Sequence, residues 1–321
     1  MNTQSKRATI AAVVVTFNRK TLLIECLRAL LAQEQPLDHI YLIDNASTDG
    51  TQELLKRERL MDDALIEYVR LPENTGGAGG FHEGIKLAHQ AGYDWIWVMD
   101  DDAEPAIDAL SMLFDGKDPA KFTQYSGLCG IKMGLDDEPQ YLHRGLFDPE
   151  SGPRPLLKTL AFQEQEISYA SFVGLLINAK AADLIGYPIQ DFFIWYDDVE
   201  YCQRMMRYGP ILYRPKSSIL HKDGVMNADG NSKKSKLLKA IPYATQWKHL
   251  CGFRNFIYLM MHHSDKGISW AIWRLLRKIA RVLLQDEKKF KLIIAYFFYW
   301  RQGAGFIPFK TIKPAEWNDG K

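Results

Sequence analysis

Three consecutive carboxylates, Asp100-Asp101-Asp102, close an apolar run of the chain. Asp100 and Asp102 alternate, which brings two carboxylates within reach of one hard cation; Mg²⁺ and Mn²⁺ take oxygen ligands and commonly bridge to substrate phosphates. The plainer account is a helix cap at Pro105 supplied by Asp102 or Glu104, but a cap needs one carboxylate, and three adjacent ones repel. A second acidic segment, Phe192–Tyr201, sets Asp197, Asp198 and Glu200 beside five aromatic residues. A carboxylate against apolar walls holds its proton to higher pH and can serve as a general base. The same segment also reads as a capped helix start, with 198–208 helical. The run Asn74-Thr75-Gly76-Gly77-Ala78-Gly79-Gly80 permits close backbone approach to a diphosphate or sugar with a helix N-terminus behind it; an ordinary flexible turn fits it equally. It lacks the Gly-Lys-Ser/Thr of a P-loop and the GxGxxG of a dinucleotide fingerprint. His221 closes the run Ile211–Leu220; a lone histidine is more often a core or surface residue than a ligand.

These residues need elements to gather them. The first half alternates strand and helix: strands over Ile10–Thr16, His39–Ile43, Ile66–Leu71 and Asp94–Met99, with helices over Lys20–Ala32, Thr51–Arg59, about Phe81–Ala91 and Pro105–Phe114. Such alternation predicts βαβ units and a mainly parallel, Rossmann-like sheet flanked by helices. Ligands of open parallel sheets bind beyond the carboxyl ends of the strands. There the sequence places Thr16-Phe17-Asn18-Arg19, Asp44–Gly50, Asn74–Gly80 and the Asp triplet, all on one rim. Ser126–Met133 and Tyr169–Ile177 read as further strands, 222–236 as a basic mobile loop or linker, and the chain from about Leu237 as helical. The expected organisation is an α/β domain over 1–225 and a basic helical C-terminal region over 226–321.

Composition supports one large domain with an appendage: 321 residues, 47% hydrophobic and 25% charged. The net charge of +1 hides an asymmetry, with 18 basic against 5 acidic residues over 230–321 and 22 against 34 over 1–229. The four cysteines form no CxxC pair, which fits a reducing compartment and argues against a structural zinc site. The N-terminal apolar run is too short for a signal peptide, and no stretch is long and apolar enough to predict a membrane span.

The stretches VVVTFNRKTLLIECLRALLAQ, IDNASTDGT and ENTGGAGGFHEGIKLAHQAGYDWIWVMDDDAEP resemble the family 2 inverting glycosyltransferases, and the bacterial galactofuranosyltransferases most of all. Rhamnosyltransferases of the same superfamily share the layout with a less glycine-rich loop. The resemblance spans about residues 10–225 and implies a GT-A fold with a C-terminal helical region. It implies that Thr16, Asn18, Arg19 and Asp44 hold uridine and ribose, and that Asn74, Gly76, Gly77 and Gly79, with Asp101, serve the donor diphosphate and sugar. Asp100 and Asp102 would bind Mn²⁺ or Mg²⁺, and His221 would complete that site. Trp195–Glu200 resembles the family's acidic catalytic segment; its second Asp maps to Asp198 as general base, with Trp195, Tyr196, Asp197 and Glu200 toward the acceptor.

The expected reaction is metal-dependent transfer of galactofuranose from UDP-galactofuranose to a glycan or lipid-linked acceptor, in synthesis of bacterial surface polysaccharide, lipopolysaccharide included. A dTDP-rhamnose-dependent rhamnosyltransferase is the alternative. A nucleotidyltransferase-like sugar-nucleotide-binding protein ranks lower, because Thr16–Arg19 offers no glycine where such proteins place a glycine-rich basic loop. The tail Ile268–Phe309 reads as a basic amphipathic helix. It suits either a membrane surface, met through 268–300 on the cytoplasmic face of the inner membrane, or packing against the catalytic domain or another subunit. A nucleic-acid partner is not expected, since the tail aromatics follow helical spacing and no nucleic-acid motif is present.

Overall fold

The computed structural model describes residues 7–222, 242–285 and 288–310. Its strands are β1 (Ile10–Thr16), β2 (His39–Asp44), β3 (Ile66–Arg70), β4 (Trp95–Asp100), β5 (Ala103–Pro105), β6 (Gly127–Met133), β7 (Arg144–Asp148), β8 (Gly152–Pro155), β9 (Gln165–Ile167), β10 (Tyr169–Ala170), β11 (Leu175–Asn178) and β12 (Ile211–His221). Its helices are α1 (Lys20–Leu31), α2 (Thr51–Arg57), α3 (Gly76–Gln90), α4 (Ala109–Leu113), α5 (Ala179–Ile185), α6 (Asp197–Met205), α7 (Gln246–His263), α8 (Ile268–Gln285) and α9 (Lys289–Gly303). The chain divides into two compact units. One comprises Met1–Phe147, Pro153–Gln190 and Asp198–Asp223; the other comprises Asp148–Gly152, Asp191–Asp197 and Gly224–Lys321. The boundary expected at 225/226, and the loop expected over 222–236 beyond Lys222, lie outside the described residues.

The first unit is built on a nine-stranded sheet in the order β3-β2-β1-β4-β11-β6-β12-β5, with β9 against β12. The half β3-β2-β1-β4 is wholly parallel, as the strand–helix alternation requires. Every residue of β1 is buried, because helices cover both faces of a parallel sheet, and its one polar side chain, Thr16, stands at the carboxyl end. Antiparallel β11 then turns the sheet toward the parallel pair β6 and β12. The GT-A architecture with a helical C-terminal region stands.

Three sequence-based expectations are corrected. The glycine run is not a loop ahead of a helix: α3 begins at Gly76, so Gly77, Gly79 and Gly80 lie in its first turns. The reason is close packing. A Cβ at Gly84 would stand 2.2 Å from Val13 Cγ1, so this glycine lets α3 lie directly on β1. Gly84→Ala is expected to destabilise by about 1–3 kcal/mol, the usual result of overpacking, read as a lower midpoint in urea at unchanged slope. Second, Pro105 does not open a helix. Ala103–Pro105 is the short strand β5, paired antiparallel with the end of β12, and α4 starts only at Ala109. Third, Tyr169–Ile177 is not one strand but β10 and β11, interrupted where the buried Arg144 guanidinium donates to Ser171 Oγ (3.0 Å) and the Val173 carbonyl (2.6 Å).

The second unit is helical. Its core gathers Leu250, Cys251 and Ile257 of α7, Ala271, Leu275 and Val282 of α8, and Leu292, Tyr296 and Tyr299 of α9. Trp300 Nε1 donates to the Ala271 carbonyl at 3.0 Å and fastens α9 to α8. The tail is therefore two helices, with amphipathic α8 as the basic one. Among the described residues, no helix is long and apolar enough to cross a membrane.

Candidate active site

The carboxyl ends of β1, β2 and β4 gather the residues singled out in sequence. Asp100 ends β4, and β5 follows after only Asp101 and Asp102. Because β5 pairs with β12, Ala103 sits opposite His221, and the Lys222 amide donates to the Asp102 carbonyl at 3.0 Å. This short strand brings His221, over a hundred residues away in sequence, to the Asp triplet. Oxygen atoms of Asp100 and Asp102 and a ring nitrogen of His221 lie within 4.8 Å of one another. Asp102 Oδ1 is buried without a hydrogen-bond partner, 3.3 Å from His221 Nε2 in poor geometry. A buried carboxylate oxygen in that condition is costly unless a cation meets it.

The electrostatics agree. Burial, then the charges of Asp102 and Asp101, push Asp100 well above the usual carboxylate range. Burial also acts upward on Asp102, but His221, Arg19 and Lys132 together hold it below its ordinary value. The donor set of two carboxylates and one imidazole thus fits a divalent cation, which would relieve the repulsion between the acids.

His221 is oriented by a residue the sequence did not point to. Its Nδ1 meets Gln140 Oε1 at 2.7 Å; that oxygen is an acceptor, so Nδ1 carries a proton and the ring is turned with Nε2 toward Asp102. Gln140 Nε2 in turn donates to the His221 carbonyl at 3.3 Å. Gln140→Leu is expected to weaken divalent-metal affinity by about 10–100-fold, the usual loss when the partner that orients a ligating histidine is removed. A Mn²⁺ titration of the purified protein reads this directly; unchanged affinity would show that His221 is not a ligand.

Around this cluster, Asp101 is turned the other way. Its Oδ2 accepts from Thr16 Oγ1 at 2.7 Å, and its Oδ1 from Arg19 Nη1 at 3.3 Å. Burial lifts Asp101 to about 6 against the pull of Arg19 and Thr16. Arg19 also donates to Asp102 Oδ2 at 2.6 Å while remaining half exposed, so one guanidinium ties the β1 rim to two of the three acids. Asn18, at φ 55°, accepts from the Thr48 amide at 2.7 Å and links the β1 and β2 ends. Asp44 is fully buried and its carboxylate is engaged: Oδ1 by the Ser47 amide at 2.8 Å, and Oδ2 by Tyr68 and Arg70 at 2.5 and 2.9 Å. It fixes Arg70 and Tyr68 beside the carboxyl end of β2. Asn74 Oδ1 accepts from the Gly76 amide at 2.8 Å, and Gly76 takes φ 73°, a value glycine adopts without penalty. Asn45, not singled out before, bridges the same turn, donating to the Gly76 carbonyl at 2.7 Å and accepting from the Thr75 amide at 3.0 Å. No neighbour lies within 4 Å of where a Gly77 Cβ would stand, whereas one at Gly79 would strike Thr75 Oγ1 at 2.3 Å. Gly77 thus faces open space, and Gly79 serves the turn.

The acidic segment divides. Asp198 lies in the first turn of α6, its Oδ1 accepting from the Val199 amide at 2.7 Å. Burial raises its pKa above the ordinary carboxylate value, against that backbone bond and the charges of Lys132 and Arg144. Glu200 is buried in an ion pair with Arg204, whose Nε and Nη2 reach it at 3.0 and 2.9 Å; Arg204 also donates to the carbonyls of Ile185 and Tyr187. That geometry makes Glu200 a fastening of α6. Lys132, buried in β6, acts electrostatically on Asp100, Asp102 and Asp198 alike, so one ammonium lies near both the acid cluster and the second acidic segment. A lone lysine inside the apolar strand GLCGIKM was the signal for it.

Trp195, Tyr196 and Asp197 belong to the helical unit. Phe193, Trp195 and Tyr196 take φ values of 65°, 65° and 69°, which cost non-glycine residues about 1–3 kcal/mol each. Asn255 and Arg254 of α7 hold the strained segment. Asn255 Nδ2 reaches the carbonyls of Phe192, Ile194 and Trp195 at 2.9–3.0 Å, and Arg254 Nη2 those of Asp191 and Phe192 at 2.7 and 3.0 Å.

Comparison with known proteins places the chain. The pattern of Glycosyl transferase family 2 matches residues 11–179. The galactofuranosyltransferase GlfT1 of Mycolicibacterium smegmatis is 32% identical over 216 residues, 62% of this chain and 66% of that protein. GlfT1 of Mycobacterium tuberculosis is 34% identical over 207 residues, 62% of this chain and 65% of that protein. The match therefore spans just under two thirds of these relatives. Among solved structures, GalNAc-T7 with UDP, GalNAc and Mn²⁺ superposes with a TM-score of 0.59 at 15% identity, covering 91% of this chain and 55% of that one. Staphylococcus aureus TarS with UDP-GlcNAc gives 0.54 at 14% identity over 92% of this chain and 81% of that one, which shows a shared fold. With the family pattern matched across the strands and helices that build the acidic cluster, the chain belongs to glycosyl transferase family 2.

Proposed function

We propose that this protein is an inverting, metal-dependent glycosyltransferase that moves galactofuranose from UDP-galactofuranose to a glycan or lipid-linked acceptor of bacterial surface polysaccharide. The observation that carries this reading is the convergence of Asp100, Asp102 and His221 at the carboxyl end of β4, in a chain of this family. These three residues would hold Mn²⁺ or Mg²⁺; GalNAc-T7 has been solved with UDP, GalNAc and Mn²⁺, and the Pyrobaculum calidifontis mannosyltransferase PcManGT with GDP-Man and Mn²⁺. When bound, the cation neutralises the donor diphosphate and makes it a better leaving group. Thr16, Asn18, Arg19 and Asp44 are assigned to the nucleoside, and Asn74, Gly76 and Gly77 to the diphosphate and sugar, with open space beside Gly77. Asp101, tied to Thr16 and Arg19, keeps the donor rim in place. A carboxylate oxygen of Asp198 takes the proton of the acceptor hydroxyl as that oxygen attacks the anomeric carbon and the bond to the diphosphate breaks. One displacement inverts the configuration, and Lys132 supplies fixed positive charge near the acids. Asp197 and Glu200 support the segment, and Trp195 and Tyr196 offer aromatic faces to an acceptor.

The galactofuranosyltransferase relatives support the choice of donor. Peripheral attachment to the cytoplasmic face of the inner membrane is supported by exposed Ile272, Trp273, Leu276 and Leu284 of α8 and Phe290, Ile294 and Phe297 of α9, beside the basic residues of α8. Metal-dependent nucleotide release from a donor panel, with a bacterial lipid fraction as acceptor, tests the reading. Turnover of UDP-galactofuranose is the expected result. Turnover of dTDP-rhamnose alone would keep the metal site and base but overturn the donor. Release from neither would overturn the reaction.

A further inference from the structure

A pocket of about 450 Å³ lies wholly within the helical unit, in the size range of small-ligand sites. Arg274, Arg277, Lys278 and Arg281 recur at three- and four-residue spacing along α8 and so share one face, which forms one side. Trp195 and Tyr196 on the strained segment, with Phe253 and Phe256 of α7, form aromatic walls. None of the side chains lining this pocket is acidic. Burial and then the neighbouring Arg277 charge hold the Arg274 guanidinium below its ordinary value, so like charges stand together at partial desolvation. Such an arrangement is unfavourable unless an anion meets it. The cations are held in place by stacking: Arg274 lies 5.0 Å from the Phe256 ring centroid and Arg277 lies 4.6 Å from that of Trp273. Guanidinium forks grouped in this way suit the oxygens of phosphate. Trp273, Leu276 and Leu284 of the same helix are exposed beside the basic face and offer a track for an apolar chain.

We propose that this pocket binds the phosphate or diphosphate group of a phosphate ester, separately from the nucleotide site of the α/β unit. A phosphorylated amphiphile places its charged group on Arg274 and Arg277 and its chain along the exposed apolar residues. A free soluble diphosphate uses the same cations without the chain. The phosphate site itself does not depend on glycosyl transfer; identifying its occupant as the acceptor rests on the reading above.

Isothermal titration of the full chain tests this, in EDTA and with the Asp100→Asn variant so that the metal-assisted nucleotide site stays silent. The probes are inorganic pyrophosphate, farnesyl diphosphate and uncharged farnesol. Farnesyl diphosphate is expected to bind and farnesol is not. R277Q, at an exposed position, and R274Q/R277Q should each weaken binding by about 10-fold or more, as loss of a charge-assisted hydrogen bond implies. K289Q/R301Q, which removes the same number of charges from outside the pocket, should leave the affinity within about two-fold. Tighter binding of farnesyl diphosphate than pyrophosphate identifies an amphiphile; equal affinity identifies a soluble diphosphate at the same site. Absence of binding by both probes at millimolar concentration, or equal losses in the pocket and control variants, would overturn the proposal. UDP release by the wild-type chain is scored separately, so the pocket and the reaction can fail independently.

Discussion

Asp100→Asn is expected to lower metal-dependent sugar transfer by about 10³-fold or more while raising the melting temperature of the metal-free protein. The two effects share one cause. Asp100, Asp101 and Asp102 are crowded at the end of β4, and burial with its two neighbours makes the ionised form of Asp100 unfavourable. A neutral amide of the same shape removes that repulsion, so the folded state without metal gains. The same change removes a ligand from the Asp100–Asp102–His221 cluster, and the stabilisation of charge on a departing diphosphate that a cation supplies is worth several kcal/mol. Thermal melts with and without Mn²⁺ separate the effects. Wild type should melt higher with metal, by the linkage between binding and folding, and the variant should not respond. A lower melting temperature in the metal-free variant would mean that Asp100 makes a favourable native contact and that the cluster is not strained. A retained Mn²⁺ response would remove Asp100 from the ligand set.

Most of the site was legible because the parallel half of the sheet is dictated locally. Apolar β-branched runs such as IAAVVVT, each followed by a helix of regular period, leave one edge at which polar strand ends collect. That logic places Thr16, Asp44, Asn74 and Asp100 on one rim without knowledge of any long-range contact. His221 was reached only through family resemblance, since nothing in its own neighbourhood marks it as a ligand. The structural cause is β5, three residues long, whose sequence AEP reads as the start of a helix. A proline is tolerated both in a first helical turn and in a short edge strand, and only the pairing with β12 decides between them.

The residues that escaped the sequence act through partners distant along the chain. Gln140 meets His221 across 81 positions, and Asn255 holds Trp195 across 60, in a segment whose positive φ values no local pattern announces. The glycine run misled for another reason. Glycine weakens a helix, yet α3 starts at Gly76 because the same glycines let its first turns sit against β1 and Thr75. Tertiary packing overrode propensity there. Lys132 left a trace, a single cation in a buried strand, whose value emerges only when Asp100, Asp102 and Asp198 are all found within its field.

Asp198→Asn is expected to reduce kcat by about 10²–10⁴-fold, the usual contribution of a positioned general base, with little change in donor affinity. The amide keeps the shape and the bond from the Val199 amide, so α6 should still open in the same way. It cannot accept the hydroxyl proton. The pH profile gives the sharper test. Burial raises the pKa of Asp198, and the Val199 amide with the charges of Lys132 and Arg144 only partly opposes this. A base must be deprotonated to act, so wild-type kcat/KM should rise with pH through a limb placed above the value of about 4 for a free aspartate. Residual activity of the variant should lack that limb. Lys132→Met removes the larger of the two opposing charges and should move the wild-type limb further up, since the Val199 amide and Arg144 are then left to favour the ionised form. If Asp198→Asn keeps its rate within about ten-fold, or keeps the limb, Asp198 is not the base. The adjacent Asp197 would then have to be tested in the same way, with the metal site and fold unaffected.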